Sequence, residues 1–434
     1  MIYWFRTDLR LRDNPAFRAA CARAPWLLPV YCHDPRWDQT TRWGTPRMST
    51  HRRHFLSDTL ADLDAQLQAR GSRLLQIRGA ANEAIPQLAC ALGVSDVVCE
   101  DIAAPEERED VAGLRAAGLT VTSFWQSSLL APETLPFPVD RLPQVYTVFR
   151  QSVETSGVLP PEPEPIPERI PPLPALGDVV SENVRPPEPP SSDARSSFPY
   201  ATEEFRGGET AALGHLARYF SSDRPHRYKE TRNGMMGTGY SSKFSPWLAT
   251  GAISARSVYE ALKRFESEHG ANAGTYWLWF ELLWRDYFRF LQLQHGARLY
   301  RPEGLSQAPR PPHDPAAFER WCQGRTGEPL VDAGMRELAA SGFLSNRMRQ
   351  IVASALLHEL ACDWRAGAAW FEAQLLDYDP ASNQGNWLSL AGRGTDPRGG
   401  RRFNLQKQAQ EHDPDGAYRR LWGTGREEGV RGKG

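Results

Sequence analysis

The chain has 434 residues, of which 41% are hydrophobic and 24% charged, a balance typical of folded globular proteins. No apolar run reaches the roughly 18 residues that a membrane span needs, so we predict none. The six cysteines are scattered without a close pair, which argues against a disulfide framework and a structural zinc site. Together with an N-terminus that lacks a signal-peptide pattern, this predicts a cytoplasmic protein.

Charge is unevenly distributed along the chain. The net charge is −1 overall, but residues 201–434 carry 31 Lys and Arg against 27 Asp and Glu. A basic second half is compatible with a polyanionic partner, yet this excess is too small to demonstrate one.

Residues 1–132 alternate between strand-like and helix-like segments. A helix is predicted over Ser49–Arg70, where leucines recur at helical spacing. This alternation predicts a doubly wound parallel α/β domain, although the first strand–helix junction lacks the G-x-G-x-x-G dinucleotide fingerprint. The predicted strands are Ile2–Phe5, Trp26–Cys32, Leu74–Ile77, Val94–Cys99 and Leu119–Phe124.

Residues 133–200 are predicted to be a proline-rich linker. Twelve prolines occur from Pro160 to Pro190, which is incompatible with a helix or a central strand there. From residue 201 to residue 434, apolar residues recur at i, i+3 and i+4 with few β-branched runs. We therefore predict an all-helical second domain.

One stretch of the helical half combines an apolar helix with a charged stripe. Glu281, Arg285 and Arg289 recur every four residues beside Trp284, on a helix that is otherwise apolar nearly all round. Such a helix is buried, and a buried charged stripe must have partners. The alternative is a chain of i,i+4 ion pairs on a partly exposed face.

Two further clusters combine charged and amide side chains. Asn346 and Arg349 share one face of a predicted helix, and Asp377 and Asp379 precede a proline that is followed by Asn383. These groups suit the rim of a polar planar ligand. Ordinary turn chemistry at an Asp-Pro junction is the alternative for the two aspartates.

A fourth cluster follows three glycines. Small hydroxyls and a lysine occur in the run Ser241–Ser245, and the glycines are Gly234, Gly237 and Gly239. Backbone N–H groups of such a loop can hold a pyrophosphate where the chain enters a helix. The run does not match the G-x-x-x-x-G-K-[ST] phosphate loop.

These stretches together resemble the photolyase/cryptochrome family of flavoproteins, most closely its cryptochrome DASH branch. The resemblance extends over nearly the whole chain, to Trp422. The phrases that carry it are Trp4–Arg10, Gly207–Leu213, Tyr228–Gly234, Glu281–Phe288 and Asp377–Trp387.

The resemblance implies that the helical domain binds FAD. Glu281 and Arg285 would come from the long buried helix, Arg349 would pair with Asp377, and Asn383 would face flavin N5. The residues implied around the phosphates and ribityl chain are Tyr228, Ser241, Ser242, Lys243, Phe244 and Ser245, and those implied around the isoalloxazine are Asn346, Arg349, Asp377, Asp379 and Asn383.

The implied reaction is light-driven repair of a cyclobutane pyrimidine dimer in DNA, with the electron supplied by excited, reduced FAD. Trp284 would stack on the flipped dimer and Glu281 would hydrogen-bond it, while Asn346 and Asn383 would belong to the reaction site. Trp387 and Trp364 match the inner and middle members of the tryptophan chain that photoreduces the flavin.

Two positions depart from the family's pattern. Pro311 stands where the outer tryptophan of the electron-transfer chain is expected, and Ser389 replaces a second aromatic residue against the substrate. We propose Trp321 as the substitute in the chain. The resemblance also implies a folate antenna, 5,10-methenyltetrahydrofolate, with Glu100 as a contact.

We expect a monomer, and three functions are compatible with its sequence. The first is a DASH-type photolyase that acts on dimers in single-stranded DNA. The second is a cryptochrome-type light sensor, for which Pro311 and Ser389 leave room. The third, a nucleotide-binding α/β protein without flavin, explains the first 130 residues but none of the helical motifs.

Overall fold

The first domain is built on a five-stranded parallel sheet. The computed structural model describes residues 1–175 and 193–423. The strand order is β3-β2-β1-β4-β5, with every neighbouring pair parallel. The strands are β1 (Ile2–Phe5), β2 (Leu28–His33), β3 (Leu75–Arg78), β4 (Asp96–Glu100) and β5 (Thr120–Phe124), and the helices are α1 (Pro15–Arg23), α2 (Thr50–Gln68), α3 (Ala81–Leu92) and α4 (Pro105–Ala116).

Strand β1 shows why this sheet is covered on both faces. Its four residues are all buried, and successive side chains point to opposite sides. Tyr3 and Phe5 belong to one apolar cluster, whereas Ile2 and Trp4 belong to another. The predicted doubly wound domain is therefore confirmed, and each of its strands begins within two residues of the predicted apolar run.

The connector between the domains contains a helix that the sequence analysis did not predict. Helix α5 (Tyr146–Ser156) lies within residues 133–200 and buries Tyr146, Phe149 and Val153. These residues have helical spacing, and the prolines that dominate the connector begin only at Pro160. Residues 157–175 contain no helix or strand, and residues 176–192 lie outside the described residues. The domain boundaries themselves stay a prediction.

The second domain is helical and is organised around one long helix. The central helix, α10, begins at a capping box between Asn272 and Thr275 and runs for 23 residues. The helices are α6 (Glu209–Phe220), α7 (Arg224–Thr231), α8 (Ser245–Thr250), α9 (Ala255–His269), α10 (Ala273–His295), α11 (Pro315–Cys322), α12 (Pro329–Ser341), α13 (Asn346–Ser354), α14 (Trp364–Gln374), α15 (Pro380–Leu390), α16 (Leu405–His412) and α17 (Ala417–Leu421).

A buried carboxylate attaches the first domain to α10. Both oxygens of Asp286 accept backbone hydrogen bonds, from Leu129 N–H at 2.9 Å and Leu130 N–H at 2.8 Å. Because Asp286 is fully buried, these two bonds replace the water that its carboxylate would otherwise need.

Among residues 1–175 and 193–423, no helix has the length and apolar character to cross a membrane.

Candidate functional site

A cavity of about 800 Å³, called the larger cavity because a second one described below is smaller, lies in the helical domain. Its walls come from the start of α5, the α7–α8 loop, and helices α10, α13 and α15. Several predicted site residues line it together. They are Tyr228, Ser241, Ser242, Lys243, Phe244, Ser245, Glu281, Trp284, Arg285, Asn346, Arg349 and Asp377.

The α7–α8 loop has an unusual backbone. Ser241 and Lys243 adopt φ values of 55° and 61°, the left-handed region that non-glycine residues rarely occupy. Such strain is concentrated at functional sites. The Lys243 side chain is buried, and its Nζ lies 3.1 Å from the centre of the Tyr240 ring without a hydrogen-bond partner among the described residues. Burial lowers its pKa well below the ordinary value.

The charged stripe of α10 finds its partners on other elements. Glu281 Oε1 lies 2.6 Å from Arg232 Nη1, and Arg289 pairs with Asp379 at 2.5 Å. Arg285 donates hydrogen bonds to two backbone carbonyls, those of Ser127 and Leu248. Burial, reinforced by the charge of Arg289, lowers the pKa of Arg285 to about 9. The predicted partners are therefore present and the ladder of i,i+4 ion pairs is not formed. Burial is confirmed only in part, because Arg289 is buried whereas the Glu281 side chain is 33% exposed.

An ion pair stands at the wall formed by α13 and the segment before α15. Arg349 Nη2 donates to Asp377 Oδ2 at 2.8 Å, and Asn346 lines the same wall. Asp377 Oδ1 is buried and has no hydrogen-bond partner within the described part of the chain. This oxygen is available to a ligand in the cavity.

Asp379 and Asn383 lie behind the cavity lining. Asp379 caps α15 by accepting from Ser382 N–H at 2.7 Å. Although burial opposes its ionisation, Arg289 and Arg285 hold the pKa of Asp379 below its ordinary value. Asn383 is half-buried and its Nδ2 donates to the Ala368 carbonyl at 3.1 Å. Their assignment to the cofactor stays a prediction.

A glycine sets the distance between α15 and α10. A Cβ atom added to Gly385 would lie 2.1 Å from the Phe288 ring, so a side chain there would push the two helices apart. Gly385 itself lines the cavity, as does Ser389 one turn later.

The predicted tryptophans lie in the apolar core beside the cavity. Trp387 and Trp364 are both buried, and the Trp364 indole N–H donates to the Pro302 carbonyl at 3.0 Å. The ring centres of Trp387 and Phe371 are 5.1 Å apart. The Phe371 ring is in turn stacked against Trp321, with ring centres 6.2 Å apart. Ring contacts therefore connect Trp387 to Trp321, but Trp321 is fully buried and lacks the solvent contact that an outer tryptophan has. It can stand in the chain only as an inner relay.

The second cavity, of about 420 Å³, lies between the two domains. Trp4, Thr7 and Trp37 line it from the α/β domain, and Tyr300 and Tyr378 line it from the helical domain. Glu100 is not among its lining residues, but it accepts a hydrogen bond from Thr7 Oγ1 at 2.7 Å.

Two family models match the chain. A model of DNA photolyase matches residues 1–171, and a model described as the FAD binding domain of DNA photolyase matches residues 277–424. The chain is 44% identical to the cryptochrome DASH of Gloeobacter violaceus, over 97% of this chain and 85% of that protein. It is also 44% identical to the cryptochrome DASH of Xenopus laevis, over 97% of this chain and 82% of that one.

Solved structures agree with these matches. A crystal structure of a Synechocystis cryptochrome superposes with a TM-score of 0.91 at 41% identity, over 97% of this chain and 88% of that one. A class III photolyase from Agrobacterium tumefaciens gives 0.78 at 32% identity, over 97% and 86%. An archaeal photolyase from Sulfolobus tokodaii, described with two FAD molecules, gives 0.73 at 27% identity, over 97% and 89%.

The chain belongs to the photolyase/cryptochrome family, whose α/β and helical FAD-binding domains it contains in the same order. Within that family its similarity is to the cryptochrome DASH proteins. The cofactor of the helical domain is FAD. The larger cavity fits such a group, since Asp377 Oδ1 and Lys243 Nζ are buried polar atoms without partners in the described part of the chain.

Three residues at this site were not singled out as site residues from the sequence. Arg232 pairs with Glu281, Arg289 pairs with Asp379, and Tyr146 is stacked on Trp284. The sequence showed Arg289 in the charged stripe of α10 but did not indicate Asp379 as its partner. Arg232 and Tyr146 come from segments distant in sequence, so no local spacing indicates them.

Proposed function

We propose that this protein is a blue-light-driven, FAD-dependent DNA photolyase of cryptochrome DASH type that splits cyclobutane pyrimidine dimers in single-stranded DNA. One observation carries the proposal. Trp284 and Glu281, an aromatic ring and a carboxylate suited to a flipped pyrimidine pair, line the same cavity as the Ser241–Ser245 loop. A lesion bound there would lie beside the cofactor.

When bound, FAD supplies the light absorption and the electron transfer to the dimer. The chain supplies position and electrostatics. The unpartnered Asp377 oxygen is an acceptor for a ligand N–H, and Arg349 pairs with the other oxygen of the same carboxylate. We assign Asn383 to the flavin edge from the family resemblance, although in the structure it lies behind the cavity lining with its Nδ2 donating to the Ala368 carbonyl.

The single-stranded preference rests on the cost of extruding the lesion. A dimer in duplex DNA must be unstacked and unpaired, which costs a few kcal/mol, whereas a single strand has little of this cost. With Ser389 in the wall of the cavity, the chain offers Trp284 as its aromatic platform at these two positions. The remaining binding energy therefore suits the single strand better.

A light sensor with little or no repair activity is the second candidate. Ser389 weakens the substrate wall and Pro311 removes the expected outer tryptophan, and both changes would be tolerated by a protein that does not turn over DNA. The two functions differ in one property. A sensor would show no preference for dimer-containing DNA over the same DNA without the dimer.

The second cavity is our proposed site for the antenna chromophore, which we assign as a folate. It lies between the domains and is lined by Trp4, Trp37 and Tyr300, as suits a planar aromatic ligand. The Sulfolobus tokodaii photolyase contains a second FAD, which is described there as an implied light-harvesting cofactor. The absorption spectrum of the purified protein distinguishes a folate from a second flavin.

The test begins with the purified protein. We expect a flavin absorption spectrum with about one FAD per chain, and tighter binding of a dimer-containing single strand than of the undamaged strand. A colourless protein that cannot be reconstituted with FAD would contradict the proposal. Equal binding of both strands by the flavin-loaded protein would favour the sensor. We also propose that the protein acts as a monomer, which sedimentation of the DNA complex tests, and that it is cytoplasmic.

A further inference from the structure

The start of α5 forms part of the wall of the larger cavity. Residues 144–147 all line it, although they belong to the connector rather than to the helical domain. Val145 is 37% exposed at the rim, whereas the next residue, Tyr146, is 6% exposed and points inward. The connector therefore contributes a buried aromatic side chain to a cavity that is otherwise built by the helical domain.

Tyr146 is stacked directly on Trp284. The two ring centres are 3.6 Å apart and the ring planes are inclined by 12°, which is a face-to-face arrangement. One face of the Trp284 indole is thereby covered by protein. A base that stacks on Trp284 must use the opposite face, so Tyr146 determines which side of the indole is available.

Three contacts fix Tyr146 to α10. Its hydroxyl donates to the Phe280 carbonyl at 2.7 Å, and its ring meets the edge of the Phe280 ring at 5.1 Å. The hydroxyl of Tyr287 donates to the Gln144 carbonyl at 2.7 Å, which holds the chain just before Tyr146. Tyr146 therefore supports the Trp284 ring, and its segment is held to α10 at Phe280, one turn before Trp284, and at Tyr287, one turn after it.

We propose that Tyr146 is a positioning residue for substrate binding, which holds the Trp284 indole in the plane that an extruded pyrimidine dimer stacks on. This inference rests on the proposed function. An unsupported indole would lose rotamer freedom when the dimer binds, whereas a supported one has lost it already. Tyr146 thus strengthens binding of the lesion while having no part in electron transfer.

Two variants, each with an aromatic residue of α5 changed to leucine, test this inference. Tyr146→Leu removes the stack on Trp284. Phe149→Leu is the matched control, because the Phe149 ring contacts Tyr287 and Tyr146, at centroid distances of 5.0 and 6.2 Å, but has no ring contact with Trp284 and does not line the cavity. The measurements are flavin content, thermal midpoint, and affinity for one single-stranded oligonucleotide with and without a thymine dimer.

We expect Tyr146→Leu to bind the dimer strand roughly tenfold more weakly, with undamaged-strand affinity and flavin content unchanged. The apparent KM for repair should rise by the same factor at constant repair yield per photon at saturation. Phe149→Leu should keep the wild-type preference for the dimer. In a Trp284→Ala background, Tyr146→Leu should have no further effect, since Tyr146 acts through the indole.

An unchanged dimer preference in Tyr146→Leu, or an equal loss in Phe149→Leu, would overturn the inference. Tyr146→Met, which keeps a long apolar side chain without a ring, serves if the leucine variant loses its flavin, and the same loss of preference is expected. Absence of any dimer preference in the unmodified protein would instead contradict the proposed function, so the two failures are distinguishable.

Discussion

Arg349 Nη2 lies 2.8 Å from Asp377 Oδ2, and this ion pair joins α13 to the segment that precedes α15 at the wall of the larger cavity. The Asp377 side chain is 3% exposed and that of Arg349 is 24% exposed. The aspartate is thus the more desolvated partner, and Arg349 supplies the counter-charge that a buried carboxylate needs. The pair predicted from the resemblance is present in the structure.

Asp377→Ala should release flavin and destabilise the folded state by about 3 kcal/mol, because Arg349 would lose its counter-charge and the cavity would lose an acceptor. Flavin content after gel filtration and a denaturant titration measure the two effects. Asp363→Ala is the control, because Asp363 forms a buried pair with Arg365 outside the cavity lining. It should lower stability while retaining FAD. A stable, fully loaded Asp377→Ala variant would refute this role.

Trp321→Phe should slow photoreduction of the flavin by an external thiol, and Trp387→Phe should nearly abolish it. The reason is that Trp321, although buried, offers an indole that an electron hole on Trp387 can reach by tunnelling past the Phe371 ring, whereas Pro311 offers no oxidisable ring. The flavin absorbance after timed periods of illumination gives the photoreduction rates. Trp422→Phe is the matched control, since this buried tryptophan packs beneath the Arg195 guanidinium. An unchanged rate in Trp321→Phe would exclude this route.

Ser389→Tyr should tighten binding of a single-stranded dimer by about one to two orders of magnitude, because a base–aromatic stack contributes roughly 1–3 kcal/mol. Trp284→Ala should eliminate specific dimer binding. Trp279→Ala is its control, since Trp279 lies on the same helix, packs against Tyr259 and does not line the cavity. Fluorescence anisotropy with labelled oligonucleotides measures all three. No gain in Ser389→Tyr would show that this position does not face the substrate.

Glu337 should make the protein less stable as pH rises. Burial raises the pKa of Glu337 to about 7, although Tyr418 and Ser197 donate hydrogen bonds to it and Lys243 and Arg349 attract its charge. Since its unfolded value is 4.5, the stabilisation is complete below that pH and is lost as pH rises through 7.

Glu337→Gln should remove this contribution, because the amide cannot ionise. Thermal midpoints of both proteins between pH 5 and pH 8, values bracketing the folded pKa of about 7, are the measurement. Other buried acids titrate in both proteins, so the difference between the two curves isolates Glu337. Parallel curves would mean that Glu337 is already ionised in the folded protein at low pH.

The sequence predicted the elements that rest on local periodicity. Strand β1 occupies the predicted residues, and α2 differs from its predicted range by one or two residues at each end. Helix α5 was missed because the connector was judged by its dense run of prolines, which extends from Pro160 to Pro190 and begins only after the helix ends. Local composition therefore masked a helical pattern of three buried residues.

The site residues also fall into two groups, those that the sequence motifs predicted and those that only the three-dimensional structure reveals. Motif residues such as Ser241 and Arg349 line the cavity as the resemblance implied. The Arg232–Glu281 pair and the Tyr146–Trp284 stack join residues 49 and 138 positions apart in the chain, as their numbers in the sequence show. No periodicity within one element encodes such a contact, so only the three-dimensional arrangement reveals it.

The decisive measurement is light-driven repair of a single-stranded thymine dimer by the fully reduced protein. We expect a recovery of thymine absorbance that requires light, scales with flavin content and is much weaker on intact duplex carrying the same lesion. Trp284→Ala should show no recovery at the same flavin content. Failure of the reduced, flavin-loaded wild-type protein to restore thymine in either DNA form would contradict the assignment as a photolyase.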